Sequence, residues 1–170
     1  MQKKIKSTLI NIFKKHGLSE NHAKICSEAL INAELVGAPS HGLSRLMMYC
    51  KRIQKKLINP KPKIKIKKIS QSISFINADN SIGFVAADIG IKQAIKNAKK
   101  TGIGLVGIKK SGHYGLSGYY AEQAVKKKFI SFLLHKCSSS YSSIWFSKKC
   151  FWNQSNLFWI PYWIKNSIYF

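Results

Sequence analysis

The hydrophobic period of the chain first changes at Asn59-Pro60, from helical spacing to strand spacing, and that change dictates a mixed architecture rather than an all-helical or all-β one. Before it, apolar residues recur every three or four positions. Ile5, Leu9, Ile12 and Phe13 predict a first helix that ends at His16-Gly17. Ser19 offers an N-cap for a second helix carrying Ala23, Cys26, Leu30 and Ala33 toward Gly37. Pro39 interrupts, and a third helix is expected from about Leu43 to Leu57, with Leu46, Met47, Cys50 and Ile53 on one face. After Pro60 the period shortens. Ile64 and Ile66 alternate with lysines, and Ile73, Phe75 and Ile76 follow, which predicts strands. Asn77-Ala78-Asp79-Asn80-Ser81 has turn chemistry. Phe84, Ala87, Ile91, Ala94, Ile95 and Ala98 mark an amphipathic helix closed by Gly102, and Ile103 to Ile108 a short apolar strand. A glycine-rich loop (Ser111 to Gly118), a helix over Ser117 to Lys127 and a buried strand over Phe129 to Leu134 complete the pattern. A helical segment followed by strand–helix–strand alternation is an α/β (α+β) chain.

The net charge of +23 raises nucleic acid or an anionic membrane as a partner. Its make-up points elsewhere. There are 27 Lys and 2 Arg beside 23 Ile, 10 Asn and 9 Phe, residues that share A/T-rich codons, so base composition accounts for them without selection for a basic surface. Readers of nucleic acid favour arginine, whose planar fork matches phosphate and guanine. The lysines are also spread from Lys3-Lys4 to Lys126-Lys127-Lys128. A small basic module that binds nucleic acid or anionic lipid is the alternative reading. Cys26, Cys50, Cys137 and Cys150 have no zinc spacing, so no metal is expected. The basic N-terminus carries too short an apolar run for a signal peptide, and Cys150 to Ile164 is shorter and more polar than a spanning helix requires. A cytoplasmic protein without membrane or nucleic-acid partners is the expectation.

Two histidine strings carry the chemistry. In Pro39-Ser40-His41-Gly42-Leu43-Ser44-Arg45, a histidine able to exchange a proton near neutral pH stands four residues from a cation. On one helical face that pair suits a substrate bearing a hydroxyl beside a carboxylate. The same residues also read as an N-cap, a surface histidine and a solvated charge. In Lys110-Ser111-Gly112-His113-Tyr114-Gly115-Leu116-Ser117-Gly118, glycines on both sides of a histidine let the backbone approach a ligand at a strand's carboxyl end. A plain glycine-rich turn is the alternative. The glycines do not form GxGxxG, so a Rossmann fingerprint is absent.

Taken in order, A-E-L-V-G-A-P-S-H-G-L-S-R-L-M-M-Y, N-A-D-N-S-I-G, A-K-K-T-G-I-G-L-V-G-I-K-K-S-G-H-Y-G and G-Y-Y-A-E-Q-A resemble the malate/L-lactate dehydrogenase family, the non-Rossmann group that includes ureidoglycolate and sulfolactate dehydrogenases. The resemblance runs from about Ile5 to Leu134. It implies an N-terminal helical segment (1–60), the start of a mostly antiparallel NAD(P)-binding sheet domain (61–134), NAD or NADP as cofactor, a small 2-hydroxy-acid substrate and a homodimer. It further implies that His113 is the proton acceptor and that Ser40, His41 and Arg45 position the substrate, Arg45 neutralising its carboxylate. Family members are considerably longer, and most cofactor contacts are expected in the part not matched here.

From His135 onward the family pattern stops. Trp145, Trp152, Trp159 and Trp163 all fall here, and no Asp or Glu follows Glu122. Tryptophan has the single codon TGG, and each of these is followed by a residue whose codons begin with A or T. Read one base later, all four become glycine. The same shift permits Thr-Asn-Ala at His135-Lys136-Cys137, then Ala-Pro-Phe-Gly and Gly-Thr-Asn-Pro-Ile, stretches of the family in their order. Residues 135–170 are therefore expected to be an out-of-frame tail, the slip lying near Phe132-Leu133-Leu134 and leaving a truncated chain. An aromatic tail packing on a partner is the alternative. The stretch from Tyr141 to Phe170 is expected to lack regular apolar spacing and a consistent place in the core, with several tryptophans exposed.

Overall fold

The computed structural model describes residues 2–134 and the backbone of 157–159. Helix α1 (Gln2–Lys15) buries Leu9 and Phe13, and α2 (Glu20–Leu35) buries Ala23, Cys26, Leu30 and Ala33, the stripe that the sequence spacing predicts. Ser19 caps α2, its hydroxyl accepting from the His22 N–H at 3.3 Å. Two single 3₁₀ turns, Pro39–His41 and Leu43–Arg45, then lead into α3 (Leu46–Gln54). The predicted third helix is thus shorter. Of its expected inner face, Cys50 and Ile53 are buried and Leu46 packs against the core, while Met47 is 63% exposed and Tyr49 is buried instead.

Strands β1 (Lys65–Lys68), β2 (Ile73–Ser81) and β3 (Leu105–Ser111) form one mixed sheet in the order β1-β2-β3. β1 runs antiparallel to β2, and β2 parallel to β3. The connection from β2 to β3 is α4 (Gly83–Thr101), capped by Gly102 in the left-handed conformation. The expected turn at 77–81 is instead the end of β2. Asp79 and Asn80, with φ of 52° and 54°, form an irregularity that shifts the register between Asn77 and Ser81. Short polar side chains tolerate that conformation, so the turn residues serve to bend a strand. The Asp79 carboxylate fixes the bend by accepting from Asn59 Nδ2 (3.0 Å) and the Lys63 N–H (2.9 Å).

Ser74, Ile76 and Ala78 on one face of β2 lie beneath α4, where Asn97 Nδ2 donates to Ser74 Oγ at 3.0 Å. Helix α5 (Ser117–Val125) follows, then β4 (Ser131–Leu133), which pairs antiparallel with β5 (Leu157–Trp159). The expected buried strand over Phe129 to Leu134 is only three residues long and is not buried: Phe132 is 59% and Leu134 64% exposed. α5 packs on β4, and Ser131 is the β4 residue that is buried. Apart from β5, the expected arrangement of the tail, Trp145, Trp152 and Trp163 included, lies outside the described residues, as does the Trp159 side chain. One apolar core crosses residue 60. Phe13, Leu30 and Tyr49 of α1–α3 pack with Phe84 and Val85 of α4, all at 1% exposure or less.

Candidate active site

That shared core brings the two histidine strings together. Tyr49 is 1% exposed, its ring tilted on Phe84 with centroids 4.8 Å apart. Its hydroxyl reaches the end of the core and meets His113 Nδ1 at 2.7 Å. The imidazoles of His41 and His113 stand 5.9 Å apart, centroid to centroid, and within 21° of parallel. The sequence placed these residues 72 positions apart (113 − 41). The helical half and the sheet half therefore each contribute one histidine to a single site.

His113 is set by its backbone. It follows β3 in the loop to α5, and α4 begins directly against that loop. A side chain at Gly83 would overlap the carbonyls of Gly112 and His113, so only glycine permits this approach. At Gly115 (φ +77°) a side chain would also run into the Phe84 ring. The loop thus rests on the buried start of α4, while the His113 ring itself is exposed.

Two groups address His113 Nδ1. Tyr49 Oη is at 2.7 Å, and the Gly115 N–H donates from 3.3 Å, at the long end for a hydrogen bond. Burial pushes the Tyr49 hydroxyl well above the ordinary phenol value, partly opposed by the charge of Arg45 and Arg52, so it stays protonated across the working pH range. A protonated phenol can donate or accept. A base that takes a proton on Nε2 keeps Nδ1–H throughout, and Tyr49 Oη is then its acceptor. The Gly115 N–H can only donate and pulls toward the opposite tautomer. The Tyr49 hydroxyl serves either tautomer, and it is the group of the two that can accept from Nδ1–H.

Ser40, His41 and Arg45 lie together but not on one helical face, because Gly42 separates their 3₁₀ turns. Ser40 Oγ is 3.1 Å from His41 Nδ1, and Arg45 Nε donates to the Ser40 carbonyl at 2.7 Å. Arg45 is exposed, and no ion pair engages it among the described residues. Such a cation can bind a small anion, and the two neighbouring imidazoles can exchange a proton with a hydroxyl. Sequence reasoning missed Tyr49. It stands in the M-M-Y string, and only its return to a buried position opposite a histidine loop distinguishes it from core. Among the described residues no cluster of three His, Cys, Asp or Glu could hold a metal, and no helix is long and apolar enough to cross a membrane.

The sequence profile of the malate/L-lactate dehydrogenase family matches residues 1–158. That is 24 residues past Leu134 (158 − 134), where the sequence reading expects the likeness to end. The chain is 40% identical over 125 residues to the malate/(S)-sulfolactate dehydrogenase of Methanothermus fervidus, covering 74% of this chain and 37% of that protein. It is 37% identical over 114 residues to the ureidoglycolate dehydrogenase (NAD(+)) of Escherichia coli, 67% of this chain and 33% of that one. The solved malate dehydrogenase of Pyrococcus horikoshii superimposes with a TM-score of 0.73 at 37% identity over 76% of this chain and 37% of that one. The sulfolactate dehydrogenase of Methanocaldococcus jannaschii gives 0.74 at 36% identity over 76% and 38%. The chain spans about a third of the length of the curated relatives it matches. These likenesses favour a dehydrogenase over a nucleic-acid module, and with the profile covering most of its length the chain belongs to the malate/L-lactate dehydrogenase family.

Proposed function

We propose that this chain carries the acid–base and substrate-binding part of an NAD(P)-dependent 2-hydroxy-acid dehydrogenase. The observation that carries the reading is the meeting of His113 and His41, with Tyr49 behind His113 Nδ1 and Arg45 tied to the Ser40 carbonyl next to His41. Arg45 takes the substrate carboxylate, with Ser40 and His41 holding the adjoining oxygen. As the carbinol becomes a carbonyl, its O–H proton passes to His113 Nε2 and its C–H bond breaks with the electron pair. The nicotinamide, when bound, accepts that hydride. The described residues fit such a partner in one respect: His113 and Arg45 are both exposed, so a substrate they hold is reachable from outside the core. Positive charge at Arg45 cannot stabilise a second cation, so its role is the carboxylate and not the nicotinamide ring.

We infer further that residues 1–60 and 61–134 are the helical segment and the start of the cofactor domain. The longer enzyme is a cytoplasmic homodimer without nucleic-acid or membrane partners. Residues 135–170 are an out-of-frame continuation. That last reading is supported by the tryptophan codons and by the family-like stretches the shifted frame permits, against a family profile that matches through residue 158 in the present frame, and sequencing the gene near Leu133-Leu134 tests it. An intact frame with no dehydrogenase sequence in the shifted frame defeats it. For the function itself, the chain continued in the shifted frame is assayed for L-malate-dependent reduction of NAD and NADP. Turnover supports the proposal, and a folded protein without turnover on any 2-hydroxy acid refutes it.

A further inference from the structure

We propose that Glu34, at the end of α2, is a positioning residue that holds the substrate-binding turns in place through the Gly42–Leu43 peptide. The proposal rests on the reading of His41 and Arg45 as substrate contacts and adds the element that sets them.

Turns of three residues have little stability of their own. Those of Pro39–His41 and Leu43–Arg45 are braced internally. Ser44 Oγ donates to the Pro39 carbonyl (2.6 Å), Arg45 Nε to the Ser40 carbonyl (2.7 Å), and the Gly42 N–H to Pro39 (3.0 Å). Such bonds fix the shape of the segment, not its placement. The Leu43 N–H, by contrast, donates to Glu34 Oε1 at 2.6 Å, a charge-assisted bond across nine residues that ties the second turn to α2.

Gly42 supports the same reading. It is buried, and a Cβ added there would fall on the Glu34 carboxylate. Glutamate and glycine are therefore matched: the carboxylate lies against the Gly42 backbone in the space a side chain would need. Because Glu34 is spent on a backbone N–H and forms no ion pair with Arg45 among the described residues, it orients the cation without neutralising it.

The test uses the full 170-residue chain, with L-malate as probe and NMR as readout. In Glu34→Ala, the Leu43 amide should exchange with solvent faster, the His41 ring signals should move, and L-malate should bind about tenfold more weakly. Glu34→Gln keeps an acceptor oxygen and should stay within about threefold of the parent. Gly42→Ala should match Glu34→Ala, and its effect should largely vanish once Glu34 is alanine, since the space is then free. Unchanged Leu43 exchange and His41 signals in Glu34→Ala overturn the proposal, as does a moved turn with L-malate affinity intact. If the unsubstituted chain shows no L-malate response, the active-site reading fails. The exchange and ring signals still decide whether Glu34 holds the turn.

Discussion

Replacing Tyr49 by phenylalanine removes one hydroxyl and leaves the ring against Phe84, so the variant isolates the bond to His113. Without it, Nδ1–H loses its acceptor, while the Gly115 N–H still points at the same nitrogen and favours the tautomer with the proton on Nε2. That tautomer cannot accept a substrate proton at Nε2. A net hydrogen bond is worth about 0.5–1.5 kcal/mol, which corresponds to roughly 2- to 12-fold in the tautomer ratio and the same factor in the fraction of competent base. The cost in folding stability should be under about 1 kcal/mol, because the exposed imidazole can turn to water. The assay is the pair of ring ¹⁵N shifts of His113 in the folded chain, which report the two tautomers separately. Tyr49→Phe should move them toward the Nε2–H form. Identical shifts in parent and variant would mean that Tyr49 fills space beside His113 and does not set its proton.

Other consequences follow from the same arrangement. Arg45→Ala in the chain continued in the shifted frame should raise KM for L-malate by about 10- to 100-fold with kcat largely kept, since the carboxylate is bound equally before and during reaction; steady-state kinetics decides. Phe84→Ala should cost about 3–5 kcal/mol in denaturant unfolding, because the ring is fully buried where both halves of the core meet. Burial holds the His22 imidazole below its ordinary value of 6.5. The unfolded chain therefore binds that proton first, and the stability concerned is present above about pH 6.5 and lost as pH falls toward the lowered folded value. His22→Gln should flatten that part of the stability profile, which thermal melts across the range will show.

What the sequence disclosed depended on how locally each feature is determined. Ser19, Gly17 and Gly102 act on their own turn of backbone, and the helix ends they predict stand where expected. The bend at Asp79-Asn80 carries the same residues as a chain reversal, and only the partner strands decide between the two. In the third helix Cys50 and Ile53 are buried as expected, but the edge of the buried face falls on Tyr49 and not on Met47, a choice made by Phe84 of α4 and not by local spacing. At Phe129 to Leu134 apolar content suggested burial, but burial depends on what covers a strand, which no local pattern reveals. The two histidine strings were recognisable one at a time. Their meeting comes from packing α3 against the start of α4, a contact between residues 35 positions apart (84 − 49).

The division of labour between the two histidines is tested most directly by turnover of L-malate in the chain continued in the shifted frame, with His113→Ala and His41→Ala compared side by side. A positioned general base contributes about 100- to 10,000-fold, so His113→Ala should lose kcat by that order while a KM for substrate remains measurable. His41→Ala should act chiefly on KM. Near-full turnover in His113→Ala together with its abolition in His41→Ala would place the base in the other string and contradict the account.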